Sequence, residues 1–155
     1  MDKPKFVYVS YIAATPEKIW NALTDPKMTR KYWGNHHNAS DWKPGSKWEH
    51  RDFDDPTKVD VVGKVIESDP PHKLVVSWVP PKEEGIAEKT SRVTYTIEPF
   101  MDVVRLTVTH DELEPDSDML HSVSFGWPAV ISGLKTLLET GSIGEAAGRR
   151  PEFCG

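Results

Sequence analysis

The chain has 155 residues, enough for one domain with one sizeable core, and folding at this length buries roughly 70% of the unfolded surface. Its 24 acidic and 19 basic residues give a formal net charge of -5 with no long block of either sign, which excludes the usual footprint of a nucleic-acid-binding protein. No run approaches the ~18 apolar residues of a membrane span, the opening MDKPKFVYVS lacks the apolar core of a secretory signal, and the single Cys154 has no partner for a disulfide, so a cytoplasmic location is expected.

KFVYVSYIA, rich in β-branched and aromatic residues, predicts a first strand running to about Ala13. Thr15-Pro16 then supplies a capping hydroxyl followed by a residue that needs no N–H at the first helical position, and Ile19, Trp20 and Leu23 give a buried helical face. Asp25-Pro26 repeats the device and predicts a second short helix to about Lys31. The following YWGNHHNASDWKPGSK reads as a loop from its Gly, Asn and Pro content, which leaves His36 and His37 as solvated loop residues without a spaced third metal ligand. Asn38 in "NAS" matches a glycosylation sequon and, without a secretory route, reads as a chance match.

Residues 46–53, 58–68, 73–79, 89–98 and 102–111 alternate with period two between turn signals such as DDPT, DPPHK and PPKEEG, predicting antiparallel strands. Their apolar faces are Leu74/Val76/Trp78, Val93/Tyr95/Ile97 and Val104/Leu106/Val108, with His110 continuing the last row. A final helix is predicted over 121–140, with Val123, Trp127, Val130, Leu134 and Leu138 on one stripe and Gly141 as its stop. The fold class is α+β: a sheet of about six strands that must curve around the one helix long enough to cover it, with the two short helices closing one end. A single domain over 1–141 and a loose tail over 142–155 are expected.

AATPEKIWNALTDP after the first strand, YWG after the second helix, GKVIESDPPHKLVVSW across a strand turn and GWPAVISGLKTLLETG on the last helix occur in an order that spans residues 6–141. That pattern resembles the helix-grip superfamily of START domains, the birch-pollen allergen fold and polyketide cyclases, and within it the activator-of-heat-shock-protein-ATPase homologues. RDFDDPTK departs from the pollen-allergen branch in lacking a glycine-rich loop. The resemblance implies a cavity between sheet and terminal helix that holds a small hydrophobic or aromatic ligand. It also implies, as an alternative, a module of the chaperone-linked stress response that docks on a protein partner.

The glycines of the last helix are the first site candidates, because a glycine inside a helix costs roughly 0.5–1 kcal/mol relative to alanine. Gly126 and Gly133 share a face with Val130, so they mark either close packing on the sheet or the wall of a pocket of about 300–1,000 Å³. Trp33, Trp42, Trp48 and Trp127 are placed where the pocket mouth should be, whereas Trp20 and Trp78 suit ordinary core filling, Trp78 staying among the candidates. Tyr95 and Leu134 lie on the inward rows, and His110 and His121, one ending a strand row and one opening the helix, could each present an imidazole to a ligand. No GxSxG, HExxH or phosphate loop occurs, so catalysis, cofactor and metal have no positive support. The expected function is binding of a small apolar molecule by a monomer or homodimer. A protein-interaction module and a cyclase- or hydrolase-like enzyme using His110 with Asp111 and Glu112 are the alternatives.

Overall fold

The structure, a computed structural model, describes residues 3–142; Cys154 and the expected tail beyond Ser142 lie outside the described residues. Strand β1 (Phe6–Ile12) is followed by helices α1 (Pro16–Thr24) and α2 (Pro26–Tyr32), then by β2 (His36–Ala39), β3 (Lys47–Asp52), β4 (Val59–Asp69) and β5 (Lys73–Trp78). Two short 3-10 turns, Pro81–Glu83 and Ala87–Lys89, lead to β6 (Ser91–Phe100), β7 (Val103–Asp111) and the 23-residue helix α3 (Asp118–Thr140).

The seven strands form one antiparallel sheet in the order β1-β7-β6-β5-β4-β3-β2. The chain therefore crosses from one edge to the other through α1 and α2 and returns strand by strand, until β7 pairs with β1 in the register Phe6↔His110 to Ile12↔Val104. The sheet curls around α3, giving the helix-grip architecture. Its inward rows are the ones the alternation defines: Leu74, Val76 and Trp78, then Val93, Tyr95 and Ile97, then Val104, Leu106 and Val108, all buried. Against them α3 packs Val123, Trp127, Val130, Ile131, Leu134 and Leu137.

Local chemistry sets the helix ends. Thr15 Oγ1 accepts from the Lys18 N–H, and Asp25 both closes α1 and caps α2, its Oδ1 accepting from the Lys27 N–H. Helix α3 begins three residues before the predicted 121, because Ser117 Oγ accepts from the Leu120 N–H. It ends at Gly141, whose φ of 86° is left-handed and whose N–H returns to Leu137 O at 2.8 Å.

Two departures from the sequence reading concern residues 32–47. A seventh strand, β2, forms where a loop is expected, pairing with β3 from His36↔Asp52 to Ala39↔Glu49. His36 and His37 are consequently buried, at 7% and 8% exposure, rather than solvated. Asn38, at 4%, accepts a hydrogen bond from His50 at 2.7 Å, so folded chain does not present the sequon to solvent.

Gly63 on β4 lies under the Trp48 indole, whose Nε1–H crosses to Ser77 O at 2.8 Å. A Cβ at position 63 would stand 1.9 Å from that oxygen and 2.5 Å from Trp48 Nε1, so any side chain displaces the β4–β5 pairing. Gly63→Ala is expected to cost about 3 kcal/mol or more in chemical denaturation, from overpacking together with loss of the Trp48–Ser77 bond.

Candidate ligand-binding cleft

A cleft of about 710 Å³ opens between the first half of α3 and the strands beneath it. Its wall is tryptophan. Trp127 of α3 meets Trp33 with ring centroids 5.6 Å apart and Trp78 at 5.5 Å, while His50 closes the far side 5.0 Å from Trp33. Val61, Val123 and Val130 complete the apolar part, and Gly126 leaves the helix backbone bare there. The mouth is charged. Lys89 bridges it, 3.2 Å from Glu114 on the loop after β7 and 4.0 Å from Glu83.

Behind the wall, His110 is fully buried and bonded at both ring nitrogens. Trp127 Nε1, which can only donate, points its hydrogen at His110 Nδ1 at 3.1 Å. The imidazole therefore carries its proton on Nε2 and donates to Ser91 Oγ at 2.7 Å, and the Ser91 hydroxyl donates in turn to Trp78 O at 3.2 Å. Burial pushes the His110 pKa down to about 3, against a smaller opposing pull from Asp111. Such a ring holds structure together and has no basic nitrogen left for proton transfer. Asp111 is likewise engaged, receiving the Arg92 guanidinium on both carboxylate oxygens, with Arg92 Nε at 2.9 Å.

Next to the cleft, His36 donates to Gly34 O at 2.8 Å and reaches Asp60 Oδ2 at 2.9 Å, its ring stacked on His50 at 5.1 Å. His50 and Asp60 also face the cleft: His50 shares the inward row of β3 with Trp48, whereas Asp60 is the extra residue of a bulge, where His50 pairs with Val61 and Arg51 with Val59, and carries no sequence signature. Among the described residues no group of three or more His, Cys, Asp or Glu is arranged to hold a metal ion. Burial lowers the His37 pKa, and its Nδ1 has no hydrogen-bond partner among the described residues.

Of the candidates read from the sequence, Trp33, Trp78, Gly126, Trp127 and Val130 meet in the cleft wall. Trp48, Tyr95 and Leu134 are buried but do not line it, Trp48 packing behind Trp78 at 5.4 Å and Tyr95 edge-on to Trp127 at 5.8 Å. His121 is exposed on the outer side of α3 beside Phe125, because its position two residues before Val123 is about 200° around the helix from the buried stripe. Gly133 faces α2: a Cβ there would lie 3.3 Å from Tyr32 Cβ and 3.5 Å from Tyr32 O. Tyr32 cannot give way easily, since its hydroxyl is fixed on Ala22 O at 2.6 Å. The glycine thus marks close helix packing rather than the pocket wall.

A curled antiparallel sheet that grips a long terminal helix and leaves a cleft along it defines a helix-grip protein of the START-like class. The model of the family "Activator of Hsp90 ATPase homolog 1-like protein" matches residues 13–139, and the chain belongs to that family. Among solved structures, MLL2253 from Mesorhizobium loti is 22% identical with a TM-score of 0.74, covering 90% of this chain and 100% of its own. The Aha1 dimer from Colwellia psychrerythraea is 21% identical with a TM-score of 0.72, covering 89% and 98%. CalU16 from Micromonospora echinospora is 21% identical with a TM-score of 0.71, covering 93% and 70%. At these identities the likeness is one of fold. No curated protein matches the sequence. No helix among the described residues is long and apolar enough to cross a membrane.

Two outcomes follow from this geometry. Gly133→Leu is expected to lower stability by about 1–3 kcal/mol through overpacking against Tyr32, whereas Gly133→Ala stays within about 1 kcal/mol of the parent because its gain in helix propensity offsets a tight contact. Folded His110 takes up a proton only near about 3, while the unfolded ring does so near 6.5, so the unfolded state binds more protons across that interval. Stability therefore falls as pH drops through 6.5 toward 3, with His110 contributing on the order of 1 kcal/mol per pH unit. His37, whose pKa is also lowered, adds in the same direction. Urea titrations of His110→Asn should show a flatter slope than the parent between about pH 6 and 5, the interval above ordinary carboxylate titration, and about 1–3 kcal/mol less stability at neutral pH.

Proposed function

We propose that the protein is a START-like binding domain that takes a small hydrophobic or aromatic molecule into the cleft between α3 and the sheet. The observation that carries this reading is the set of three tryptophans, Trp33, Trp78 and Trp127, converging on one cleft of about 710 Å³, a size suited to a small organic ligand. Flat aromatic walls favour planar apolar molecules, and the charged mouth orients whatever polar end they carry. Cytoplasmic residence belongs to the same proposal. A reaction run from His110 does not, since both of its ring nitrogens are already engaged.

A second reading, docking on a protein partner, is favoured by apolar side chains on the outer face of the sheet. Val7, Val9 and Tyr11 of the edge strand β1 are 43–47% exposed, and Phe100 packs beside Tyr11 at a centroid distance of 5.2 Å. This face lies away from the cleft, so the two readings separate by mutation. It would serve a chaperone-like partner or a second copy of the chain, as the dimer of the Colwellia relative illustrates for that protein.

The test uses native mass spectrometry of freshly purified protein for a retained small molecule, and titration with the neutral fluorophore phenylnaphthylamine. The parent is expected to bind the fluorophore with energy transfer from tryptophan. Gly126→Leu, which projects a side chain into the cleft, should weaken binding about tenfold or more, the effect of losing roughly 1.4 kcal/mol of contact, with a small change in unfolding temperature. A parent that neither retains a molecule nor binds the fluorophore, or a Gly126→Leu variant that binds as well as the parent, would remove the cleft reading and leave the β1 face as the functional surface.

A further inference from the structure

The charged groups around the cleft mouth are unequal in sign. Five carboxylates line it, Asp60, Glu83, Glu114, Asp116 and Asp118, against two ammonium groups, Lys82 and Lys89. Lys89 is already held between Glu83 and Glu114, and Asp60 is paired with His36. Among the described residues the carboxylates of Asp116 and Asp118 have no hydrogen-bond or ion-pair partner. The positive end of α3 opens on the same mouth, but Asp118 in its first turn and the Ser117 cap already answer that dipole. An anion entering here meets an excess of like charge, and a cation meets the reverse.

A second observation comes from the wall. Trp78 is 7% exposed, and its Nε1–H has no acceptor among the described residues. That nitrogen is shielded from the cleft, so what the wall offers a ligand is the face of the Trp78 ring beside Trp33 and Trp127.

We propose that the cleft selects a hydrophobic cation, a molecule whose aromatic or aliphatic body lies against Trp33, Trp78 and Trp127 and whose amine sits among the carboxylates of the mouth. The inference rests on the reading of the cleft as a ligand site. Tryptophan faces suit such a molecule twice over, through apolar contact and through attraction between the ring quadrupole and positive charge. Asp116 and Asp118 set the preference for charge, and the tryptophans set the preference for a flat apolar body.

Three probes of equal ring and different charge decide the matter: naphthylmethylamine, naphthylmethanol and naphthoate, titrated against tryptophan fluorescence at neutral pH. The amine is expected to bind about fivefold or more tighter than the alcohol, the effect of a partly exposed charge pair, with naphthoate weakest. The preference should shrink as salt rises, and in Asp116→Asn/Asp118→Asn the ratio of amine to alcohol affinity should move toward one. Thermal unfolding of the double variant checks its fold, and the salt series on the parent reads the same charge effect without any substitution. Equal binding of amine and alcohol, or tighter binding of naphthoate, would overturn the cationic selectivity while leaving the cleft a ligand site. Failure of all three probes on the parent would overturn the ligand site as well.

Discussion

The indole N–H of Trp127 crosses from α3 to His110 Nδ1 on β7, and the same ring of His110 passes the connection to Ser91 on β6 and, through its hydroxyl, to the carbonyl of Trp78 on β5. Three strands and the long helix are thereby held by one chain of buried hydrogen bonds whose direction is forced at its first step, because an indole can only donate. Each bond contributes about 1 kcal/mol net, but leaving any member unpaired in a dry interior costs about 1–3 kcal/mol, so the chain is specified more by the penalty for breaking it than by the gain from making it. Its consequence for the cleft is geometric. Trp127 is held at a fixed distance from the sheet, and the gap between helix and strands on its mouth side stays open because Gly126, Val123 and Val130 are too small to fill it.

The strands and the last helix were legible because burial on one face writes itself as alternation or as a stripe; Val104, Leu106 and Val108 need no neighbour to be recognised as a row. β2 was not, since His36-His37-Asn38-Ala39 contains no β-branched residue and owes its strand to pairing with β3 and to partners far along the chain, Asp60 and His50 among them. Burial of those histidines likewise depends on what folds over them. His50 follows the alternation set by Trp48, but the orientation of Asp60 toward the cleft follows from a bulge, a feature that shifts side chains to the opposite face without changing composition.

The two helix glycines show where periodicity stops being informative. Gly126 and Gly133 are seven residues apart, close to two turns, and so share a face of α3. A helix of 23 residues is about 34 Å long, however, and its neighbours change along that length. The first half runs over the tryptophan wall and the mouth, the second over α1, α2 and β1, where Lys135 donates to Tyr11 O and the Glu139 carboxylate accepts from the Ala13 N–H. One glycine therefore borders space and the other borders Tyr32. Spacing fixes which face a residue occupies; what stands opposite is a property of the assembled fold.

The distribution of satisfied and unsatisfied indoles follows the same division. Trp48 gives its N–H to Ser77 O and Trp127 to His110, both in the interior behind the wall, while the Trp78 N–H, between them, has no acceptor among the described residues. Natural folds keep such orphaned donors rare in ordinary core, where an acceptor or an apolar replacement removes the cost. Here the orphan belongs to a side chain whose surface also lines the cleft, and whose backbone carbonyl already anchors the Ser91 end of the hydrogen-bond chain. Trp78 is thus fixed in place by bonds that serve the fold, while its own polar atom serves none of them. The orphaned nitrogen costs about 1–3 kcal/mol, and that cost is offset by the large apolar area that the same ring removes from water between Trp48, His110 and Trp127.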